Sequence, residues 1–403
     1  MKYDFNERID RTHTNALNTD GFRGYIFHAG PEKKFPYADD EFVRMWVADM
    51  EFATPPEICD AIKERVDRRI FGYTAVFDDS YYNAFSKWCK DRYDWSFAKE
   101  ELTFSTGIIP ALYQLVETLV APDEKLLIVS PAYGFFQHAA EYTDKNLVCS
   151  PLFRGEGHFT IDFDDFEKKA ADPKMKLMLW CNPHNPSGRM WTEEELKRVA
   201  DIAVKNDLWL ISDEIHCDLI RKGQKHIPMG RILPDYDKLI TCMSASKTFN
   251  MAGLMFSDII IRDKDLREKF NDRDKNVGFV NPISLAAHQA AYEKCGDWLS
   301  QLQDYLDDNF KFLDEFLKEN LPEAVYETPE ATYLAWVDMS KCLPGVDDMP
   351  GFFANNAGVL LEGGDSLFVG NAKGYVRLNL AMPREIIKTG LERMAEAIAK
   401  YNA

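Results

Sequence analysis

Five short segments in the middle of the chain carry almost unbroken apolar runs: KLLIVS (125–130), KLMLWCN (176–182), LWLISDE (208–214), KLITCMS (238–244) and SDIIIRD (257–263). Each has the length of a strand. A strand apolar on both faces belongs inside a mostly parallel sheet with helices above and below it. The stretches between them follow the helical period. Thr192 with Glu195 three residues on forms a capping box that opens TEEELKRVADIAVKN. Over 108–119, Ile108, Ile109, Leu112, Leu115, Val116 and Leu119 share one helical face. From about 283 the pattern becomes one of long helix, with Leu299, Leu302, Leu306, Leu313 and Leu317 in a single stripe, and 384–400 repeats it with Ile387, Leu391, Met394 and Ile398. TYLAWVDM (332–339) and YVRLNLA (375–381) read as strands of a second unit. The pattern predicts an α/β fold, a mostly parallel sheet sandwiched by helices, with a smaller α+β domain. The expected division is an N-terminal segment over 1–50, loop-rich and packing with the small domain, a large domain over 51–290, and a small C-terminal domain over 291–403.

Composition narrows the classes. The 403 residues are 46% hydrophobic and 28% charged, enough to bury a large core. A formal net charge of −18 excludes the basic surface that nucleic acid or an anionic membrane requires. An anionic cofactor would then need a pocket of locally opposite character. Cys59, Cys89, Cys149, Cys181, Cys217, Cys242, Cys295 and Cys342 are scattered, with no CxxC pair and no Cys/His cluster at metal spacing. They read as reduced thiols, and no metal site is expected. MKYDFNERID at the start has no apolar signal region, and no apolar run nears the roughly 20 residues of a membrane span. A cytoplasmic location is expected.

In open α/β sheets ligands bind beyond the carboxyl ends of the strands, so the residues that follow each strand carry the chemistry. In STGIIPAL (105–112), Thr106 and Gly107 open a helix at Ile108, a start that suits a phosphate or is simply a capped turn. In SPAYGFF (130–136), Tyr133 either stacks on a planar ring or fills the core. CNPHNPSGR (181–189) packs two Asn-Pro pairs into a rigid loop, either a structural turn or one that offers Asn185 to a ring hydroxyl. In SDEIH (212–216), Asp213 ends four apolar strand positions and needs a cationic partner, such as a protonated ring nitrogen. His216 reaches the same ligand or lies on the surface. In MSASKTFNMAGL (243–254), Lys247 follows a buried strand among small and hydroxyl residues, where an amine can lose its proton and attack a carbonyl, or is a solvated loop lysine. Ser244 and Ser246 beside it can bond a phosphate. Arg377, inside a strand pattern, demands an anion: a substrate carboxylate or a structural ion pair. A phosphate cradle, a stacking ring, an amide, an acid, a nucleophilic lysine and a carboxylate clamp are together the set that pyridoxal 5'-phosphate (PLP) needs.

The order and spelling of these motifs, with MWVADMEFATPPEI and FGYT before them, resemble the aminotransferase-like, fold-type I PLP enzymes from about residue 40 to the C-terminus. CNPHNPSGRMW, SDEIHCDL and SASKTFNMAGL are similar to the cystathionine β-lyase branch, which includes bacterial C–S lyases and the maltose-regulon modulator protein. The resemblance implies a Schiff base of the cofactor on Lys247, Asp213 on the pyridine nitrogen, Asn185 on the ring hydroxyl and Tyr133 against the ring. It implies Thr106, Gly107, Ile108, Ser244 and Ser246 around the phosphate, and Tyr73 reaching the phosphate of a partner subunit in a homodimer with shared sites. Arg377 would clamp the substrate carboxylate, and the backbone at Ala48 and Asp49 would close over the substrate. His216 stands where many aminotransferases have tyrosine, and Met255 where many have arginine. Both departures suit the lyase branch.

The expected activity is α,β-elimination at a carbon–sulfur bond, giving pyruvate, ammonia and a thiol from cystathionine, cysteine or a related conjugate. Asp213 and Tyr133 would assist Lys247. An aminotransferase shares the same site, and a regulatory protein on this fold is the alternative outside catalysis.

Overall fold

The computed structural model describes residues 3–155, 158–273 and 279–403. Its centre is an eight-stranded sheet. The strands are β1 (Leu102–Ser105), β2 (Lys125–Ser130), β3 (Asn146–Gly155), β4 (His158–Ile161), β5 (Met175–Cys181), β6 (Trp209–Asp213), β7 (Leu239–Met243) and β8 (Ser257–Ile261). They lie in the order β1-β8-β7-β6-β5-β2-β3-β4. β3, β2, β5, β6 and β7 are parallel, while β8 runs against both β7 and β1, and β4 against β3.

The apolar runs are explained by burial on both faces. Leu126, Ile128, Leu177, Leu179, Ile211 and Ile240 pack beneath a helix over Ile108–Leu119, whose Ala111, Leu112, Leu115 and Val116 are buried. Leu127, Val129, Met178, Trp180 and Leu210 face the opposite layer, where the helix Glu193–Lys205 contributes Leu196, Val199 and Ala203. Each such side chain is worth roughly 1.5–3 kcal/mol on burial. The capping box is formed as expected: Thr192 Oγ1 accepts from Glu195 N at 3.1 Å, and Glu195 Oε2 accepts from Thr192 N at 2.8 Å.

In chain order the longer helices used below are α1 (Pro56–Asp67), α2 (Ser80–Tyr93), α3 (Ile108–Leu119), α4 (Glu193–Lys205), α5 (Pro282–Lys294), α6 (Gly296–Asn320) and α7 (Arg384–Tyr401). The helical pattern expected from 283 onward is two helices. Cys295 leaves helical geometry at φ −101°, ψ 16°, and separates α5 from α6. α6 serves two cores. Trp298, Leu299, Leu302 and Leu306 pack with α2 and α5, and Phe310, Leu313 and Leu317 pack with a second, antiparallel sheet. That sheet joins β9 (Leu334–Asp338), β10 (Glu362–Gly363) and β11 (Tyr375–Asn379) in the order β9-β11-β10. α7 covers it with Ile387, Leu391, Met394 and Ile398. The N-terminal segment crosses over: Val43 and Arg44 pair in parallel with Val359 and Leu360, and Phe5 packs edge-on against Trp298 at 5.5 Å. Among the described residues no helix is long and apolar enough to cross a membrane.

Candidate active site

Cys181, Asp213 and Cys242 stand level across β5, β6 and β7. The loops that follow these strands therefore leave one edge of the sheet together. They meet the start of α3, the Trp46–Asp49 segment and β11 around a cavity of about 220 Å³. Ala48, Thr106, Gly107, Ile108, Tyr133, Asn185, Asp213, His216, Ser246, Lys247 and Arg377 all line it.

Lys247 sits on a single helical turn, Ala245–Thr248, whose N-cap is Ser244. Its Nζ donates to the Ala48 carbonyl at 2.7 Å. Burial pulls the ammonium pKa down, with the charge of Asp49 opposing. Asp213 is buried at the end of β6, where one oxygen accepts from Ile215 N at 3.1 Å. Burial lifts its pKa from 3.8 to about 7, so the acid demands a proton or a cation in the cavity. The neighbouring Glu214 points the other way, as alternation along a strand requires. It accepts from Ser212 Oγ (2.8 Å) and Met229 N (2.9 Å) and meets His226 Nε2 at 2.7 Å.

His216 is buried, and burial together with the charges of Lys247 and Arg377 lowers its pKa to about 3, so the imidazole is neutral. Among the described residues its Nδ1 has no hydrogen-bond partner. Gly107 precedes the first turn of α3, whose leading amides stay open to an anion as at any helix start. The loop after β5 is held by Asn182 Nδ2 to Ile227 O (2.9 Å) and by a contact between His184 Nδ1 and Ser187 Oγ (2.7 Å). Gly188 turns that loop at φ +69°, and a Cβ there would lie 2.3 Å from Pro329 Cβ. Asn185 is thereby fixed between the cavity and Arg377, whose Nη1 donates to its Oδ1 at 3.4 Å.

Three expected residues do not line the cavity. Ser244 is turned inward: its hydroxyl donates to Phe256 O at 2.8 Å and accepts from Ser246 N at 3.1 Å. Asp49 faces Arg11 at 2.6 Å, leaving its backbone carbonyl to accept from Asn379 Nδ2 at 2.5 Å. Tyr73 is 92% exposed and packs on Phe279 with centroids 5.0 Å apart, outside the cavity of its own chain.

The cavity also contains residues that sequence reasoning did not name, among them Phe136, Ile215, Phe256 and Ser257. Ser257 pairs with Ser105 across β8 and β1, which sets its hydroxyl near the start of α3. Because β8 is antiparallel, its beginning rather than its end reaches the ligand edge. Glu362 was missed as well. It stands across β10 and β11 from Arg377 and bonds Arg377 Nη2. Burial raises Glu362 to a pKa of about 7 against the pull of Arg377.

A buried acid short of a cation, an open helix start and a half-buried lysine converge on one apolar-walled space. A planar cofactor with a phosphate, an electrophilic carbon and a basic ring nitrogen answers each of them, so these residues fit PLP.

Comparison with known proteins agrees with that geometry. Residues 41–394 match the model of the family described as aminotransferase class I and II. Cystathionine beta-lyase PatB of Bacillus subtilis is 36% identical over 358 residues, 88% of this chain and 92% of that protein. Protein MalY of Escherichia coli is 28% identical over 98% of this chain and 99% of its own length. The crystal structure of the PLP-bound C–S lyase from Staphylococcus hominis superposes with a TM-score of 0.93 at 48% identity, covering 99% of this chain and 98% of that one. The chain belongs to the class I and II aminotransferase family of fold-type I PLP enzymes, on its carbon–sulfur lyase branch.

Proposed function

We propose that this protein is a PLP-dependent carbon–sulfur β-lyase that converts an S-substituted cysteine such as cystathionine, with water, to a thiol, pyruvate and ammonia. The observation that carries the reading is the convergence of half-buried Lys247 with buried Asp213 and Arg377 on one cavity, in a chain 48% identical from end to end to a C–S lyase.

When bound, the cofactor supplies an electron sink for charge that develops at the substrate Cα. Lys247 would hold it covalently and, when its amine is free, would take the Cα proton on Nζ. Its depressed proton affinity suits both tasks. Asp213 stays ionised against the ring nitrogen and keeps a proton there. Asn185 would orient the ring hydroxyl, and the neutral His216 would offer a second hydrogen bond to the cofactor. Thr106, Gly107, Ile108 and Ser246 hold the phosphate at the start of α3, with Tyr133 against the ring. Arg377 binds the substrate carboxylate, and the segment at Ala48 and Asp49 covers the reacting carbon. Met255 supplies no charge where an arginine would grip the phosphate more tightly.

The second copy completes the site in this reading. Ile70, Phe71, Tyr73, Phe77 and Phe279 are all more than half exposed, an apolar face that suits a homodimer in which Tyr73 enters the partner's cavity. Size measurement at low concentration tests the assembly. Eight free cysteines, six of them buried, suit a reducing cytoplasm.

Incubation of the holoenzyme with cystathionine alone tests the activity. The expected result is pyruvate and free thiol without any 2-oxo acid. Turnover only after a 2-oxo acid is added would replace the lyase with an aminotransferase.

A further inference from the structure

This inference rests on the proposed role of Arg377 as the carboxylate clamp. A guanidinium offers a carboxylate two forked edges, Nε with Nη2 and Nη1 with Nη2, and both edges use Nη2. In this protein both hydrogens of Nη2 are engaged, one by Glu362 Oε2 and one by the Trp46 carbonyl at 3.2 Å. Nη1 meets Asn185 Oδ1 at 3.4 Å, and Nε is buried without a partner among the described residues. Neither fork is therefore open. The Trp46 carbonyl is held through its neighbours in the chain, since Met45 N bonds Leu360 O, Met45 O accepts from Asn379 N and Val47 O accepts from Asn379 Nδ2. The Glu362 carboxylate is a side chain and can turn away.

We propose that Glu362 is a positioning residue that holds Arg377 before substrate arrives, yields Nη2 to the substrate carboxylate, and takes up one proton from solvent as it does so. The exchange breaks the Arg377–Glu362 hydrogen bond and forms one to substrate, and the proton ends on a Glu362 carboxyl oxygen. The reason is charge. Arg377 and Glu362 are 1% and 3% exposed and cancel each other. A second carboxylate leaves two anions on one buried cation. The other groups that face Glu362 are Lys247, Tyr25 and Tyr133. Both tyrosines are pushed up by burial and stay neutral, and Lys247 is committed to the cofactor. His216, at about 3, cannot add a positive charge, and Asp49 is paired with Arg11. Glu362, already at about 7 beside one cation, is the group best placed to accept the proton.

The test is calorimetric binding of 3-(methylthio)propionate to the holoenzyme in buffers of different ionisation enthalpy. This probe has the carboxylate of a small S-alkyl cysteine but no amine, so it cannot displace Lys247. The expected wild-type result at about pH 8 is uptake of about one proton per site, fading below pH 7. The dissociation constant should climb about tenfold per pH unit above 7. Glu362→Gln cannot titrate and should bind with that uptake and slope abolished, its visible cofactor spectrum showing that the site is assembled. Uptake that persists in Glu362→Gln, or no uptake in the wild type at pH 8, overturns the coupling. Arg377→Met separates the two ideas. If it binds the probe as tightly as wild type, the clamp itself fails, and the coupling with it. Binding that needs Arg377 but shows no Glu362-dependent uptake overturns the coupling alone.

Discussion

Replacing Asp213 by asparagine should stabilise the cofactor-free protein and weaken the cofactor-loaded one. Asp213 is buried with a single side-chain hydrogen bond among the described residues, from Ile215 N, and burial lifts its pKa from 3.8 to about 7. The folded pKa lies above the unfolded one, so the unfolded chain loses its proton first as pH rises. Stability therefore falls between about pH 4 and pH 7, and the cost is constant above that. A displacement of about three pH units is worth ~4 kcal/mol as a ceiling, and relaxation around the charge reduces it to about 2–4 kcal/mol. The substituted amide cannot ionise and escapes this cost. Glu362 and Asp258, also raised to about 7, drive the same trend in both proteins and cancel in the difference. With cofactor bound the sign reverses, because asparagine removes the anion opposite a ring cation, a loss of roughly 3–5 kcal/mol for a broken buried pair. Urea midpoints of the cofactor-free wild type and Asp213→Asn at pH 5 and pH 8, with cofactor titrations beside them, read both effects. The expected gap between the cofactor-free forms favours the variant at pH 8 and is less than half as large at pH 5. A variant no more stable than wild type at pH 8 would refute the claim that this acid is uncompensated.

Two further substitutions probe the anchor and its loop. Lys247→Ala should fold and bind cofactor without a covalent link, so borohydride treatment adds the cofactor's mass to the wild type alone, and elimination should be negligible. Gly188→Ala meets both a left-handed backbone, worth about 1–2 kcal/mol, and a Cβ 2.3 Å from Pro329. It should cost roughly 2–4 kcal/mol in thermal or urea unfolding and loosen cofactor through Asn185. Gly223→Ala, at φ +86° with nothing within 4 Å, should cost only the backbone part.

What could be read from the chain follows burial. β2, β5, β6 and β7 are central and buried on both faces, so their apolar runs mark them almost to the residue. β3, in NLVCSPLFRG, mixes exposed and buried positions toward the sheet edge and leaves no such run. α1 has a single fully buried side chain, Ile58, and so too thin a stripe to stand out. At the site, looking beyond the carboxyl ends of the strands located Asn185, Asp213, His216 and Lys247, because those strands are parallel. The same rule misses Phe256 and Ser257, because β8 is antiparallel and presents its beginning to the ligand. Ser244 sits in the right segment but caps the turn that carries Lys247, and a serine beside a lysine does not reveal which hydroxyl turns inward.

Arg377 shows how far such reasoning reaches. A buried arginine in a strand demands an anion, and the chain leaves two candidates open: a substrate carboxylate and a structural ion pair. The register of β10 on β11 satisfies that demand within the chain, by a residue 15 positions away in a two-residue strand that has no pattern of its own. The two candidates then stop being exclusive. An ion pair made only for stability gains little here, since two desolvated charges seldom outperform packed apolar side chains. Its partner's proton affinity near neutrality, however, lets the pair open without leaving an uncompensated buried charge. The internal anion thus keeps Arg377 folded in place while the site is free of substrate, and protonation of that anion lowers the barrier to its release when a carboxylate arrives.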